Sequence, residues 1–273
     1  MTSYATLSES EWNQVDQVWD LLEQGEVDRA RGLVDALLRG RPGHPDLRIV
    51  DAAVRLDEGE PELALECLRG AERSADPAIF FHLRALAHFE LVQFDRARDD
   101  ALRAVAVNHD LAEAHDLLAR IYEHLGEDEK AREHAAEAQA IDPAAFAPPL
   151  DVPGEEFDAI VEESLEELPE EIRRKLDDVP VVVEDLPSRT VLIAENPPLA
   201  PDVLGLFVGR HLLERSHLDL PGAPGAIYLF RRNLLRACLD REELKREVRT
   251  TVRHEVGHLL GLDEDELEDW GLG

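Results

Sequence analysis

Four alanines, Ala30, Ala64, Ala97 and Ala131, stand 34, 33 and 34 residues apart, each closing a short recurring phrase. The phrases are Gly25-Glu26-Val27-Asp28-Arg29-Ala30, Gly59-Glu60-Pro61-Glu62-Leu63-Ala64, Gln93-Phe94-Asp95-Arg96-Ala97 and Gly126-Glu127-Asp128-Glu129-Lys130-Ala131. Such a period excludes a single globular core over the first half of the chain. It predicts stacked units, each too small to bury its apolar face alone and each covered by its neighbour. Twelve residues before the alanines stand Val18, Ala52, Ala85 and Ala119, and seven after them Leu37, Ala71, Ala104 and Ala138. Small residues at these places let two antiparallel helices approach closely, so each unit reads as helix-turn-helix. Pro42, Pro77 and Pro143 follow twelve or thirteen residues after their alanines, where a proline is expected to end the second helix.

Over roughly residues 10 to 143 this pattern resembles the tetratricopeptide repeat family. The first unit departs from it with Val18 and Leu37 where alanine is usual, and the third carries His109 in place of the closing proline. The resemblance implies an all-α solenoid whose concave groove binds a peptide or another protein. A scaffold that only braces the following domain is the plainer alternative. Seven of the eleven histidines lie here (His44, His82, His88, His109, His115, His124 and His134), without ligand spacing, and read as surface or partly buried residues.

The period stops at Pro143. Residues 144–154, with three further prolines and a glycine, have a linker composition, so the expected organisation is repeats over 1–143, a linker, and a second domain over 155–273. In that domain Phe157, Ile160, Val161, Ser164, Leu165 and Leu168 form one helical stripe, and Pro169 opens a second short helix reaching about Leu176. Val179–Asp185, Gly205–Gly209 and Ala226–Arg231 read as strands of a small sheet, with Thr190–Ala194 as a fourth candidate. Asp240 is suited to cap a long helix running from about Arg241 to Gly261.

That last helix carries the chemistry, as His254-Glu255-Val256-Gly257-His258-Leu259-Leu260-Gly261. Residues four apart share a helix face, so His254 and His258 can present two imidazole nitrogens to one Zn2+. Glu255 sits beside them as a general base for water polarised by the ion. A HExxH string arises somewhere in a chain of this composition with a chance of roughly 5%, and far less often with Gly261 and an acid at 264 added. Gly261 is expected to adopt a left-handed conformation, end the helix and turn the chain back, placing Glu264 as the third ligand with Asp265 and Asp263 as rivals. Glu268 is a further carboxylate able to close the site.

The formal charge of -31 opposes binding to nucleic acid or anionic membranes and favours a basic partner, if the charge is more than a solubilising surface. No apolar run is long enough to span a bilayer, and the first residues show no secretory signal. Cys67 and Cys238 provide no disulfide framework, so a reducing cytoplasm is expected.

The segment 155–273, through Val179-Pro-Val-Val-Val-Glu-Asp-Leu-Pro187, Leu204-Gly-Leu-Phe-Val-Gly209, Ile227-Tyr-Leu-Phe-Arg-Arg232 and the HEVGHLLGL string, resembles the small bacterial zincin-like metallopeptidases with a minimal matrix-metalloprotease-like fold. The resemblance implies an α+β domain, His254 and His258 as zinc ligands and Glu255 as base. It departs from the family in carrying Glu264 where Asp is common, and from the larger metzincin clan in lacking a methionine turn, since Met1 is the sole methionine. The expected fold is therefore multidomain, a helical repeat solenoid followed by a small α+β zincin-like domain. The expected function is zinc-dependent peptide hydrolysis with a repeat region that recruits protein partners; the alternative is a non-catalytic zinc-binding adaptor. Residues 226–231 are expected to offer a sheet edge to an extended peptide. Tyr228, His211, His217 and Arg231 are candidates for oxyanion contact, each with a plainer structural role.

Overall fold

The computed structural model describes residues 6–72, 76–194, 196–209 and 225–262. They divide between two compact units, one within 1–147 plus 192–201 and the other within 148–191 plus 202–273.

The first unit is four antiparallel helix pairs: α1 (Glu9–Glu23) with α2 (Val27–Gly40), α3 (Pro45–Asp57) with α4 (Pro61–Leu68), α5 (Pro77–Glu90) with α6 (Phe94–Val107), and α7 (Ala112–His124) with α8 (Asp128–Ile141). All twelve repeat positions are buried, none more than 6% exposed, because the close helix approach leaves no room for solvent beside them.

Each pair turns in the same way. Gly25, Gly59 and Gly126 sit at φ 70°, 72° and 73°, and the two amides that follow each first helix bond back to its last turn, as in Gly126 N–H to the Glu123 carbonyl and Glu127 N–H to that of Tyr122. This is the left-handed stop that glycine adopts without strain. In the third pair the place belongs to Val92, at φ 57°. A β-branched residue pays about 1–2 kcal/mol there. Val92 is 1% exposed in the core with Phe89 and Leu117, and burial worth about 1.5–3 kcal/mol offsets the strain.

Expectations need correction at Pro77 and at Thr190–Ala194. Pro77 does not end a second helix: α4 has already stopped at Leu68, before Gly70 at φ 89°, and Pro77 opens α5 behind the N-cap Asp76, whose carboxylate accepts from the Ala78 and Ile79 amides. The first turn of a helix tolerates proline because its amide has no intrahelical partner there. Thr190–Ala194 is not a strand: Thr190, Val191 and Leu192 lie in the helical turn α11 (Arg189–Leu192), and Leu192 packs with Leu199 into the core of the repeat unit.

The second unit contains α9 (Gly154–Glu166), α10 (Glu170–Leu176), β1 (Val181–Glu184), β2 (Gly205–Val208), β3 (Ala226–Phe230), α12 (Arg231–Ala237) and α13 (Arg241–Leu260). The sheet order is β1-β3-β2, with β1 parallel and β2 antiparallel to β3. Residues 226–230 thus form the central strand, paired on both sides, and offer no edge to a peptide. Ile227 and Leu229 of β3, Phe157, Ile160 and Val161 of α9, and Leu244, Val248, Val252 and Val256 of α13 make one core. Arg241 bonds Glu156 at 2.7 Å and Arg249 bonds Glu167 at 2.8 Å, aligning α13 with α9. Part of the proline-rich segment belongs to this unit as well: Val152 is buried in its core and the Leu150 amide bonds the Leu235 carbonyl. No helix among the described residues is long and apolar enough to cross a membrane.

Candidate metal centre

The zinc motif lies on the last two turns of α13. Asp240 starts this helix, its carboxylate accepting from the Glu243 amide at 2.8 Å, and Glu242 and Glu243 complement the positive end of the helix dipole. Leu244, Val248, Val252 and Val256 recur every fourth residue and hold one face in the core. His254 and His258 fall on the flank of that buried stripe, half-buried, while Glu255 falls within it and is 6% exposed.

The two imidazoles meet edge to face, their planes at 89° and their Nε2 atoms 3.0 Å apart. Two nitrogens each ~2.05 Å from a tetrahedral zinc lie about 3.3 Å from each other, so the pair already has nearly the span the ion requires. Zinc binding needs both Nε2 atoms free of hydrogen, so a ring that donates from Nε2 in this contact would carry its proton on Nδ1 with the ion bound. Among the described residues no group of three or more His, Cys, Asp or Glu side chains is arranged to hold a metal. Glu264 and its rivals Asp263 and Asp265, with Glu268, lie outside the described residues, as do His211 and His217.

What can be followed is how the helix ends. Gly261 takes φ 79° and ψ 26°, its amide bonds the His258 carbonyl, and the Leu262 amide bonds that of Gly257. This paired closure, with Leu262 packed against the core, ends α13 within one turn of His258 and at the left-handed glycine expected from the sequence.

Glu255 is held from the sheet. One of its oxygens, Oε2, accepts the Phe207 amide proton at 2.6 Å. Along β2 the residues facing β3 for hydrogen bonding alternate, and the bond from the Phe230 amide to the Leu204 carbonyl fixes the phase. Phe207 therefore points its N–H away from β3, toward α13. The approach depends on Gly205, where a Cβ would stand 2.6 Å from Thr251 Cγ2, 3.1 Å from Glu255 Cγ and 3.2 Å from the Tyr228 carbonyl oxygen. The sequence reading placed Gly205 and Phe207 in a strand and gave neither a role at the site. The available signal was the glycine itself, because a glycine inside a strand marks close approach of another element.

Of the oxyanion candidates, Arg231 is paired with Asp185 at 2.7 Å, and Tyr228 is half-buried in the central strand. Cys238 is buried and its thiol is pushed up to about 11, chiefly by burial, leaving it neutral at pH 7. A groove of about 780 Å3 between α9, α10 and β1 is lined by residues such as Val161, Leu176 and Val183, but by none of His254, Glu255 or His258. In the repeat unit the fold gathers three histidines that the sequence had scattered: His115 Nδ1 lies 3.0 Å from His134 Nδ1, and the His109 ring centroid 5.2 Å from that of His115. Burial lowers the pKa of both His115 and His134.

Residues 15–79 and 82–146 match the family model described as Tetratricopeptide repeat, and residues 176–272 match the one described as Zincin-like metallopeptidase. Similar solved structures include a crystal structure of MamA, 25% identical, covering 45% of this chain and 73% of that one with a TM-score of 0.39. MamA from Desulfovibrio magneticus RS-1 is 21% identical, with 49% and 76% covered and a TM-score of 0.41. Pseudomonas aeruginosa PilF is 17% identical, with 57% and 67% covered and a TM-score of 0.43. No curated protein matches the chain in sequence. The chain carries tetratricopeptide repeats across residues 15–146, a module of protein interaction, and a zincin-like domain, of a kind that generally binds zinc, across residues 176–272.

Proposed function

We propose that the protein is a zinc-dependent peptidase whose repeat unit recruits the protein on which it acts. The observation that carries this reading is the convergence of His254 Nε2 and His258 Nε2 at 3.0 Å on the same helical turn as a buried, strand-anchored Glu255. A structural zinc site has no use for a carboxylate held in that way beside its ligands, whereas a hydrolase does.

His254 and His258 would hold the ion, with Glu264 as the third ligand. Bound zinc would polarise a scissile carbonyl and bring the pKa of its water toward ~7. Glu255 accepts a proton from the attacking water and returns it to the leaving amine, so one side chain serves both halves of the reaction. The Phe207 amide fixes the plane of that carboxylate by binding one of its oxygens, and thereby positions the base without touching substrate.

The test is metal content and turnover on the same preparations. The wild-type chain binds about one zinc per molecule. His254→Ala and His258→Ala lose it, and Glu264→Ala weakens it more than Asp263→Ala or Asp265→Ala. Glu255→Gln keeps the zinc and abolishes peptide hydrolysis. A chain that binds zinc through these residues yet cleaves nothing in a broad peptide mixture, with Glu255→Gln indistinguishable from wild type, is a zinc-binding adaptor instead.

A further inference from the structure

A groove of about 430 Å3 runs across the first helices of the repeat pairs. Its volume falls within the ~300–1,000 Å3 of sites that bury most of a ligand. Trp12 and Trp19 of α1, Ile79 of α5 and Leu111 before α7 supply apolar surface to it, and Trp12 is 36% exposed although large and aromatic. The rim is of one sign. Asp16, Asp46, Asp76 and Glu113 all line the groove, and no lysine or arginine does among the described residues.

A second, independent feature lies in the wall. His82 contributes its ring to the groove, and its Nδ1 is shut off from solvent with no hydrogen-bond partner among the described residues. Burial holds the ring's pKa down at about 4, so at neutral pH it brings no positive charge to balance the carboxylates. A buried polar nitrogen without a partner is costly, by about 1–3 kcal/mol, and natural proteins tolerate few of them.

We infer that this groove binds a cationic, amphipathic peptide segment, one that seats an apolar side chain against Trp12 and Trp19 and sets lysine or arginine residues against Asp16, Asp46, Asp76 and Glu113. Charge complementarity selects this occupant. An acidic segment meets four like charges and a chain of net charge -31, and an uncharged apolar one gains nothing from the acidic rim. The indoles supply the desolvated anchor that aromatic residues provide at interaction sites. The inference deepens the recruitment half of the proposed function by naming the chemistry of what is recruited, and it does not depend on turnover.

The experiment is selection of a displayed random library, of peptides about twelve residues long, on the full chain carrying Glu255→Gln, so that bound peptides survive. Enriched sequences are then measured by fluorescence anisotropy on the wild-type and variant chains. The expected winners carry two or more Lys or Arg around a Leu, Ile, Phe or Trp. Asp16→Asn combined with Glu113→Gln, both on exposed side chains, weakens them by about tenfold at low salt, with the difference shrinking as salt rises. Trp12→Ala weakens them at every salt concentration. Enrichment of acidic or neutral sequences, or affinity unchanged by both the double substitution and Trp12→Ala, overturns the inference. Zinc content and hydrolysis by the same wild-type preparation are read separately, so a groove that fails leaves the peptidase reading standing, and the reverse.

Discussion

Gly205→Ala is the sharpest perturbation of the link between the sheet and α13. The new methyl would sit 2.6 Å from Thr251 Cγ2, nearer than carbon atoms approach, and 3.2 Å from the Tyr228 carbonyl oxygen, which is backbone and cannot swing aside. Relief requires β2 to lift from α13. Overpacking of this kind costs about 1–3 kcal/mol. Lifting the strand also stretches the 2.6 Å bond from the Phe207 amide to Glu255, a bond to a charged group worth about 1.5–3 kcal/mol. The two losses overlap, so we expect about 2–4 kcal/mol in all, which raises the opening constant of this region roughly thirty- to several-hundred-fold. Hydrogen exchange resolved on peptides covering residues 205–208 and 241–262 reads this locally, which matters because a chain of two units need not unfold in one step. Thr251→Ser removes the methyl in the way, so the double variant should exchange more slowly than the sum of the single effects requires. If Gly205→Ala leaves exchange within about threefold of wild type, or if Thr251→Ser gives no rescue, then β2 is not packed on α13 as described. Under the proposed function, turnover should fall with the loss of the Phe207 contact while zinc content holds, because Glu255 loses its anchor and the histidines do not.

Other perturbations follow from the same structure. The ring of His82 ordinarily titrates near 6.5 and is held at about 4 in the fold, so the unfolded chain takes up the proton first; stability is full above pH 6.5 and falls progressively toward pH 4, by about 3 kcal/mol in all. His88, His115 and His134 are shifted in the same direction, so His82→Leu flattens only part of the slope in a urea-melt series over pH 4–7.5, and a slope left unchanged refutes the assignment. Gly126→Ala meets no atom within 4 Å but must hold φ 73°, so it should cost about 1–2 kcal/mol of repeat stability from conformation alone; an unchanged melt would contradict it. Asp100→Ala strands Arg84, which binds that buried carboxylate through two nitrogens at 2.6 and 2.7 Å, and should cost about 3 kcal/mol or more, checked by the same melts.

How far the sequence could be read differed from one feature to the next. The four helix pairs were legible because Ala30, Ala64, Ala97 and Ala131 recur at one period and their flanking positions recur with them. Pro77 misled because a proline is compatible both with the end of one helix and the first turn of the next, and only the early stop of α4 at Leu68 separates the two. Ala226–Phe230 was recognisable as a strand, but its central position was not, since the residues of a strand carry its own pattern and not the identity of its neighbours. Thr190–Ala194 has the β-branched residues of a strand, yet Leu192 is drawn into the repeat core and the segment becomes a helical turn.

The candidate metal centre divides in the same way. His254, Glu255, His258 and Gly261 are related by helix geometry over eight residues, so their faces and the left-handed stop follow from 3.6 residues per turn and the missing Cβ of glycine. Long-range contacts answer to nothing so local. The Phe207 amide reaches Glu255 across 48 positions, Gly205 makes room for it, and His109, His115 and His134 meet only because α7 and α8 pack together. Periodicity and spacing are written in neighbouring residues and survive in any reading of the chain. The partner of Glu255 is chosen by how a strand lies on a helix, and that is decided only when the core beneath them closes.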